Sequence, residues 1–405
     1  MDKIFIIFLL TYIVIALGQP PLFRIDRAGA AIIGASLMIL TGSISEWDAF
    51  TAIDYKTLII LFGMMIVVAN LRLSGFFNIV MGFIIKKINH PKTFLKWLIV
   101  ISGILSAFFV NDTVCLMFTP FLLSICRNLN LNPKPFLIAL CMSSNIGSVA
   151  TLTGNPQNII IGNAGNLSYS TFFIKMFPVS IAGFLILYIT IFLFYKEDFK
   201  KDISVKTSFK IRYNRALTLK TLIVTSFVIL FFMIGFPMEL VALGAGCFLL
   251  ITRRIKPEKV YALIDFRLLV FFTGLFIVIK SLELSPFATN ILEKVGSLSI
   301  SNLWFLTIVS GILSNIVSNV PAVLIIKSFL SRGDEIHWLI LALSSTFAGN
   351  ITILGSIANI IVVEGASHRV KISFWEYTKV GFFVTFLTIF LGTFILLFEN
   401  KLFSF

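Results

Sequence analysis

Four short polar stretches interrupt an otherwise apolar chain. The first, Asn111-Asp112-Thr113 within FFVNDTVCLMFTP, carries a carboxylate. The second joins Ser143-Ser144-Asn145 to Thr151-Leu152-Thr153-Gly154-Asn155-Pro156-Gln157-Asn158. The third is Ser314-Asn315 with Ser318-Asn319-Val320-Pro321. The fourth runs from Ser344-Ser345-Thr346 through Gly349-Asn350-Ile351-Thr352 to Gly355-Ser356 and Asn359. An ionisable group at membrane depth is costly and marks an ion or solute path. Asp112 has the chemistry to hold Na⁺ or carry a proton, with Asn111 and Thr113 offering oxygens and an amide beside it. Its alternative role is to cap the half-helix that follows. Gly154-Asn155-Pro156 should unwind a helix. The new helix N-terminus suits an anion, and the freed carbonyls suit a cation. The candidate site therefore has two halves. Asn111, Asp112, Thr113, Thr153, Gly154, Asn155 and Asn158 form one; Ser318, Asn319, Thr352, Gly355, Ser356 and Asn359 form the other. Na⁺ is expected near Asn111, Asp112 and Asn155, and near Ser318, Asn319 and Gly355.

Composition decides what surrounds these stretches. The 405 residues are 58% hydrophobic and 13% charged, with a mean hydropathy of +0.99. A soluble domain carries about twice that charged fraction. Apolar runs at 4–17, 28–41, 57–85, 93–109, 114–126, 136–162 and 171–195 are followed by others at 221–235, 238–252, 266–293, 302–317, 321–330, 338–363 and 373–398. Their lengths suit membrane helices, not the short alternating strands of a barrel. The first run reads as a retained helix, because GQPPLF lacks a small-x-small cleavage pattern. The net charge of +14 sits in loops between apolar runs, so it marks membrane orientation and not a nucleic-acid partner. Cys115, Cys126, Cys141 and Cys247 lack metal-ligand spacing and read as small core residues. No nucleotide-binding loop, metal-protease helix or pair of catalytic acids is present. No enzyme activity is expected, and no cofactor beyond a coupling Na⁺ or H⁺.

The polar landmarks recur in order. Asp54-Tyr55-Lys56, Gly63 and Arg72 match Asp265-Phe266-Arg267, Gly274 and Glu283. Gly103 to Ser106 with Asn111 matches Gly311 to Ser314 with Asn319; Thr151 to Gly154 with Asn158 matches Thr352 to Gly355 with Asn359. Loop charge sets orientation. With residue 1 outside, the inside loops 18–27, 86–96, 127–135, 196–220, 253–267 and 364–372 are basic, while loops 42–56, 163–170, 294–301 and 331–337 are not. The segment 93–126 then enters and returns on one side, as a re-entrant hairpin with Asn111-Asp112-Thr113 near its tip. Loop 42–56 corresponds to 253–267 yet faces the other side, so the repeats are inverted, a secondary-transporter arrangement. The expected fold is an all-α polytopic membrane protein. It has two inverted repeats of about five transmembrane segments, each with a re-entrant hairpin and a broken helix. The first repeat spans 1–195, with 1–85 as scaffold and 93–195 as hairpin and broken helix. The basic linker 196–220 is cytoplasmic. The second repeat spans 221–405, divided at 221–293 and 302–398. Among the remaining charges, Lys280 and Lys327 are candidate intramembrane cations, and Lys175 and Lys379 read as anchors at segment ends.

The runs VNDTVCLMFTP, NIGSVATLTGNPQNIIIG, SNVPAVLI and AGNITILGSIANIIV resemble the paired signatures of the ion transporter superfamily that holds the ArsB and NhaD permeases and the divalent-anion/sodium symporters. GNPQN followed by SNVP is most similar to YbiR-like anion permeases with a citrate-transporter-like domain. The resemblance implies an ion-coupled secondary carrier of a small anion, a carboxylate or an inorganic oxyanion, in the cytoplasmic membrane. It implies an elevator movement, a coupling cation as partner, and homodimer assembly. Na⁺/H⁺ antiport of the NhaD type and arsenite or antimonite efflux of the ArsB type are the alternatives. Dicarboxylate symporters carry Ser-Asn-Thr at both tips. Here the tips read Asn111-Asp112-Thr113 and Ser318-Asn319-Val320, so dicarboxylate specificity does not carry over. ArsB- and NhaD-like chains commonly read Gly-Asp-Pro-Pro-Asn where this one has Gly154-Asn155-Pro156-Gln157-Asn158, without the acid.

Overall fold

A computed structural model describes residues 3–17, 24–200, 212–285 and 302–403. Among them the regular structure is entirely helical: α1 (Lys3–Leu17), α2 (Arg27–Leu40), α3 (Glu46–Ala52), α4 (Tyr55–Ser74), α5 (Phe76–Lys87), α6 (Pro91–Phe108), α7 (Asn111–Asn128), α8 (Lys134–Ser148), α9 (Pro156–Gly165), α10 (Tyr169–Phe194), α11 (Arg215–Ile234), α12 (Met238–Leu250), α13 (Pro257–Tyr261), α14 (Phe266–Glu283), α15 (Leu303–Val317), α16 (Asn319–Ile326), α17 (Glu335–Ala348), α18 (Ile357–Ala366) and α19 (Phe374–Phe403). Among these, α4, α6, α10, α11 and α19 are long and apolar enough to cross a membrane by length and composition. Leu185 and Leu193 on α10, Phe227 on α11 and Phe386 on α19 are exposed, as residues facing hydrocarbon must be.

The apolar run 57–85 is not one helix. Gly75 takes a left-handed conformation (φ 84°) and returns its N–H to Arg72 and Leu71, ending α4 and starting α5. The expected linker 196–220 is also shorter, because α11 begins at Arg215 under an Asn214 cap. Asn214 N–H donates to Ser74 O at 2.8 Å, and Asn78 Nδ2 donates to Arg212 O at 2.8 Å, which docks this segment on the α4–α5 break. The middle of that linker, the end of run 266–293 and loop 294–301 lie outside the described residues. Cys247 is exposed and not part of the core; Cys115, Cys126 and Cys141 are buried.

Equivalent helices of the two halves exchange partners. α4 packs on α12, and α14 on α2. The landmark glycines explain the closeness of both contacts. A Cβ on Gly63 would lie 2.4 Å from Ala242 O, and one on Gly274 would lie 2.6 Å from Ala31 C. A second group contains α6 with α8, α15 with α17, α10 with α19, α7 with α18 and α16 with α9. Two ion pairs repeat one contact with the signs exchanged: Lys134–Glu376 joins α8 to α19, and Lys175–Glu335 joins α10 to α17, each at 2.8 Å. Lys175, read as an anchor, is thus a pairing partner. Buried serines hold the layers together, with Ser102 on Ser143 at 2.6 Å and Ser310 on Ser344 at 2.5 Å.

Candidate functional site

The first hairpin follows from helix directions. Phe94 packs on Phe136, Ser102 meets Ser143 and Ser106 meets Ser144 at 2.7 Å, so α6 runs parallel to α8. α7 leaves from Asn111, whose carbonyl accepts from Ser144 Oγ at 3.1 Å, and Cys115 one turn later lies near Ser144 and Cys141. α7 is therefore antiparallel to α8, and the chain turns back at Phe109-Val110. Both helix breaks expected from sequence are present, between α8 and α9 and between α17 and α18.

The two breaks are stapled alike. Asn158 Nδ2 donates to Ser148 O (3.1 Å) and Thr151 O (2.9 Å); Asn359 Nδ2 donates to Gly349 O (2.7 Å) and Thr352 O (3.0 Å). These asparagines replace the helix hydrogen bonds lost at the break. Asn155 caps α9, its oxygen accepting from Asn158 N–H at 2.9 Å, and donates to Ser148 Oγ at 2.9 Å. The first half-helix start, read as an anion site, is thus already occupied by Asn155. Ser356, at the equivalent position, makes no capping bond to α18, and Ser318 makes none to α16.

A cavity of 590 Å³ gathers both tips. Asn111 and Asp112 line it from α7, Pro156 and Gln157 from α9, Ser318 to Pro321 from α16, and Ser356 and Ile357 from α18. Of the expected site residues it brings Asn111, Asp112, Ser318, Asn319 and Ser356 to the wall. Thr113, Thr153, Gly154, Asn155, Asn158, Thr352, Gly355 and Asn359 stand off that wall. Most are held by their own bonds: Thr153 Oγ1 meets Tyr169 Oη at 3.1 Å, and Gly154 O accepts Asn111 N–H at 3.2 Å.

Asp112 lies in the first turn of α7, yet its side chain caps nothing. Asn111 does the local work: its Oδ1 accepts Asp112 N–H at 3.0 Å and its Nδ2 donates to Asn145 at 3.0 Å. The Asp112 carboxylate makes no hydrogen bond or salt bridge among the described residues. Its charge interacts with Arg27 and Asp265, which share the cavity wall with Asp26, Arg267 and Glu364. Four carboxylates thus face two guanidinium groups. On the second tip, Asn319 directs its amide nitrogen to Ser314 Oγ (2.7 Å), Gly355 O (3.0 Å) and Ser345 O (3.1 Å), and its oxygen accepts from Gln157 Nε2 at 3.2 Å. Asn315 Oδ1 is buried without a partner. A Cβ on Gly355 would lie 3.1 Å from it and 2.8 Å from Gly349 O. Gly355 O and Gly349 O already accept from Asn319 and Asn359, so Asn315 Oδ1 is the oxygen left free among them.

Asn145 joins the halves. It donates to Asn350 Oδ1 (2.9 Å) and Asn359 Oδ1 (3.1 Å), and accepts from Asn111 and from Ser356 Oγ (3.1 Å). Thr346, its repeat equivalent, accepts from Gln157 Nε2 at 3.2 Å and Asn155 Nδ2 at 3.5 Å. Gln157, Asn315 and Thr346 escaped selection as site residues although each lies in a quoted polar stretch. Arg27, Asp265 and Glu364 escaped it because loop charges read as orientation signals.

Apolar helices around a charged cavity, closed by two hairpins and two broken helices, define a multi-pass membrane transporter. A family model described as citrate transporter, CitMHS, matches residues 10–343, and the chain belongs to that family. It is 31% identical to the 46 kDa membrane protein of Mycobacterium leprae, covering 95% of each chain. It is 27% identical to the silicon efflux transporter LSI3 of Oryza sativa, over 89% of this chain and 90% of that one. With the inner membrane protein YbiR of Escherichia coli it shares 27% identity, over 80% and 82%. The solved YdaH transporter of Alcanivorax borkumensis, described as having an unusual topology, has a similar fold: TM-score 0.58, 11% identity, 99% and 98% covered. These findings are those of a membrane transporter.

Proposed function

We propose that this chain is an ion-coupled secondary transporter of a small anion, a carboxylate or an inorganic oxyanion, driven by Na⁺ or H⁺ across the cytoplasmic membrane. One observation carries the reading. An unpaired carboxylate, Asp112, and the uncapped starts of α16 and α18 face one 590 Å³ cavity. The helix starts offer backbone N–H groups and a positive dipole end to an anion. Asp112 offers its charge to Na⁺ or a proton, with Asn111 beside it; a second Na⁺ would bind near Ser318, Asn319 and Gly355, where Asn315 Oδ1 is the buried oxygen without a partner. The cavity is walled by Asp26, Arg27, Asp265 and Arg267, whose loops the charge pattern assigns to the cytoplasm, so the conformation is inward-facing. The N-terminus is then outside and the repeats are inverted. Asymmetric cavities across such repeats support an elevator movement of α6–α10 and α15–α19 against the remaining helices.

The four carboxylates favour a second reading, transport of a neutral hydroxylated solute such as silicic or arsenous acid, with H⁺ exchange. Proteoliposomes under an imposed Na⁺ or pH gradient separate the two. Uphill accumulation of citrate, phosphate or sulfate supports the anion. Uphill movement of the neutral acids alone replaces it, and Na⁺-dependent proton release without either solute marks an antiporter.

A further inference from the structure

A second cavity, of 860 Å³, is lined by Asp54, Lys56, Asn163, Asn166, Lys327 and Arg332. It is the repeat counterpart of the first. Asp54 and Lys56 hold the positions of Asp265 and Arg267, and Asn163 follows Asn158 by the interval that separates Glu364 from Asn359. The two cavities also sit at opposite ends of the same half-helices. α9 gives Pro156 and Gln157 to one and Asn163 to Gly165 to the other; α16 begins at one, and Lys327 lies just past its end at the other. A ten-residue helix is about 15 Å long, so the cavities open on either side of the tips.

Their charges are opposite. The first has four carboxylates against two arginines, the second three cations against one carboxylate. That carboxylate is committed, since Asp54 accepts from Thr57 N–H (3.1 Å), Thr57 Oγ1 (2.5 Å) and Asn163 Nδ2 (3.5 Å). Lys56 pairs with Glu239 at 3.5 Å. Lys327 and Arg332 make no salt bridge among the described residues, and Lys327 lies over the Phe276 ring at 5.7 Å. Asp54 and Glu283 attract its charge and Lys280 opposes it. At the carbonyl end of α9, Gly162 O already accepts Asn166 and Leu167 N–H.

We propose that this cavity is a second anion-binding site, at the opposite mouth of the transport path, with Lys327 and Arg332 as the charged ligands of a phosphate- or carboxylate-bearing group. An anion there ties the end of the second hairpin to the start of α4. It also concentrates anions at a mouth distinct from the acidic one.

Binding, not transport, tests it, so it stands or falls separately from the transport reading. The full chain in zwitterionic nanodiscs is titrated with sodium sulfate and sodium phosphate against sodium chloride at equal ionic strength, followed by calorimetry and thermal shift. Sulfate or phosphate should bind and stabilise the protein. Lys327→Gln and Arg332→Gln should each weaken binding roughly tenfold, the worth of one charge-assisted hydrogen bond, while Asp112→Asn retains it. Arg332 is an exposed loop residue whose replacement leaves the fold intact. Repeating the titration with phosphatidylglycerol in the nanodiscs identifies the source. Loss of the sulfate effect there, with lipid stabilisation that both variants lack, assigns the site to a lipid headgroup. Equal affinity in wild type and both variants, no stabilisation by sulfate, phosphate or lipid, or loss of binding only in Asp112→Asn overturns the proposal.

Discussion

The two hairpin tips occupy equivalent places and are built on opposite principles. At the first, three successive backbone donors at the start of α7 are engaged: Asn111 N–H on Gly154 O, Asp112 N–H on Asn111 Oδ1, Thr113 N–H on Val110 O. What remains free is a carboxylate. At the second, Val320 replaces the acid, and the starts of α16 and α18 lack side-chain caps. One half offers negative charge to the cavity and the other offers N–H groups. A carrier that moves a cation with an anion needs both, and dividing them between halves keeps Asp112 from competing with the anion for one set of donors. The largest expected effect breaks this division. Asp112→Asn should abolish gradient-driven uptake in proteoliposomes while leaving folded yield unchanged, because the carboxylate bonds nothing among the described residues. Unchanged coupled uptake would refute the role of Asp112.

The halves also differ in how they are tied together. Removing Asn145 leaves four groups without their only partner among the described residues: Asn111 Nδ2, Ser356 Oγ, and Oδ1 of Asn350 and Asn359. Removing Thr346 strands none, because Gln157 retains Asn319 and Asn155 retains Ser148. Asn145→Ala should therefore destabilise by about 2–4 kcal/mol and Thr346→Ala by about 1 kcal/mol or less. Thermal unfolding in one detergent measures both. Equal losses would mean that the central network is symmetric after all.

A third expectation transplants the first half's chemistry into the second. Ser356→Asp gives α18 the cap that Asn155 gives α9, adding negative charge where an anion should dock. Uptake should need roughly tenfold more anion, an effect of about 1.4 kcal/mol, and thermal stability should change little, because the cap gained offsets the loss of the bond that Ser356 Oγ donates to Asn145. An unchanged concentration dependence would remove the α18 start from the binding site.

How far these differences could be read in advance depends on the physics of each residue. Helix spans, both breaks and the paired landmarks were legible because apolar length and Gly-Asn-Pro act locally. Gly63 and Gly274 were legible as a pair; that each lets a helix approach the opposite half was not, since the neighbours lie far along the chain. The polar stretches stand out in the sequence, yet the sequence could not say which of their side chains face the cavity. Asn155 and Asn158 look like ligands, but a broken helix must first satisfy its own backbone, and their amides go there. Asn145 looked like one polar residue among several, although it bonds four partners from three elements. Lys327, placed only as a candidate intramembrane cation, gained its meaning from Arg332 and Asn163, brought beside it by the fold.

The smallest expected effect concerns backbone strain, which the tips do not share. Ser318 has φ 75° and ψ 162°, a region that only glycine occupies at ease. Val110, at the first turn, has φ −48° and ψ 125° and bears no such cost. Holding a serine there costs about 1–3 kcal/mol, part of which glycine returns by its greater freedom when unfolded. Ser318→Gly should then raise thermal stability by the equivalent of about 1 kcal/mol or less. Val110→Gly should lower it by more, about 2 kcal/mol, because it also deletes a buried side chain. If strain at the second tip primes it to move, Ser318→Gly should also slow uptake, whereas Val110→Gly should not; slowing of both would assign the effect to loss of side-chain packing instead.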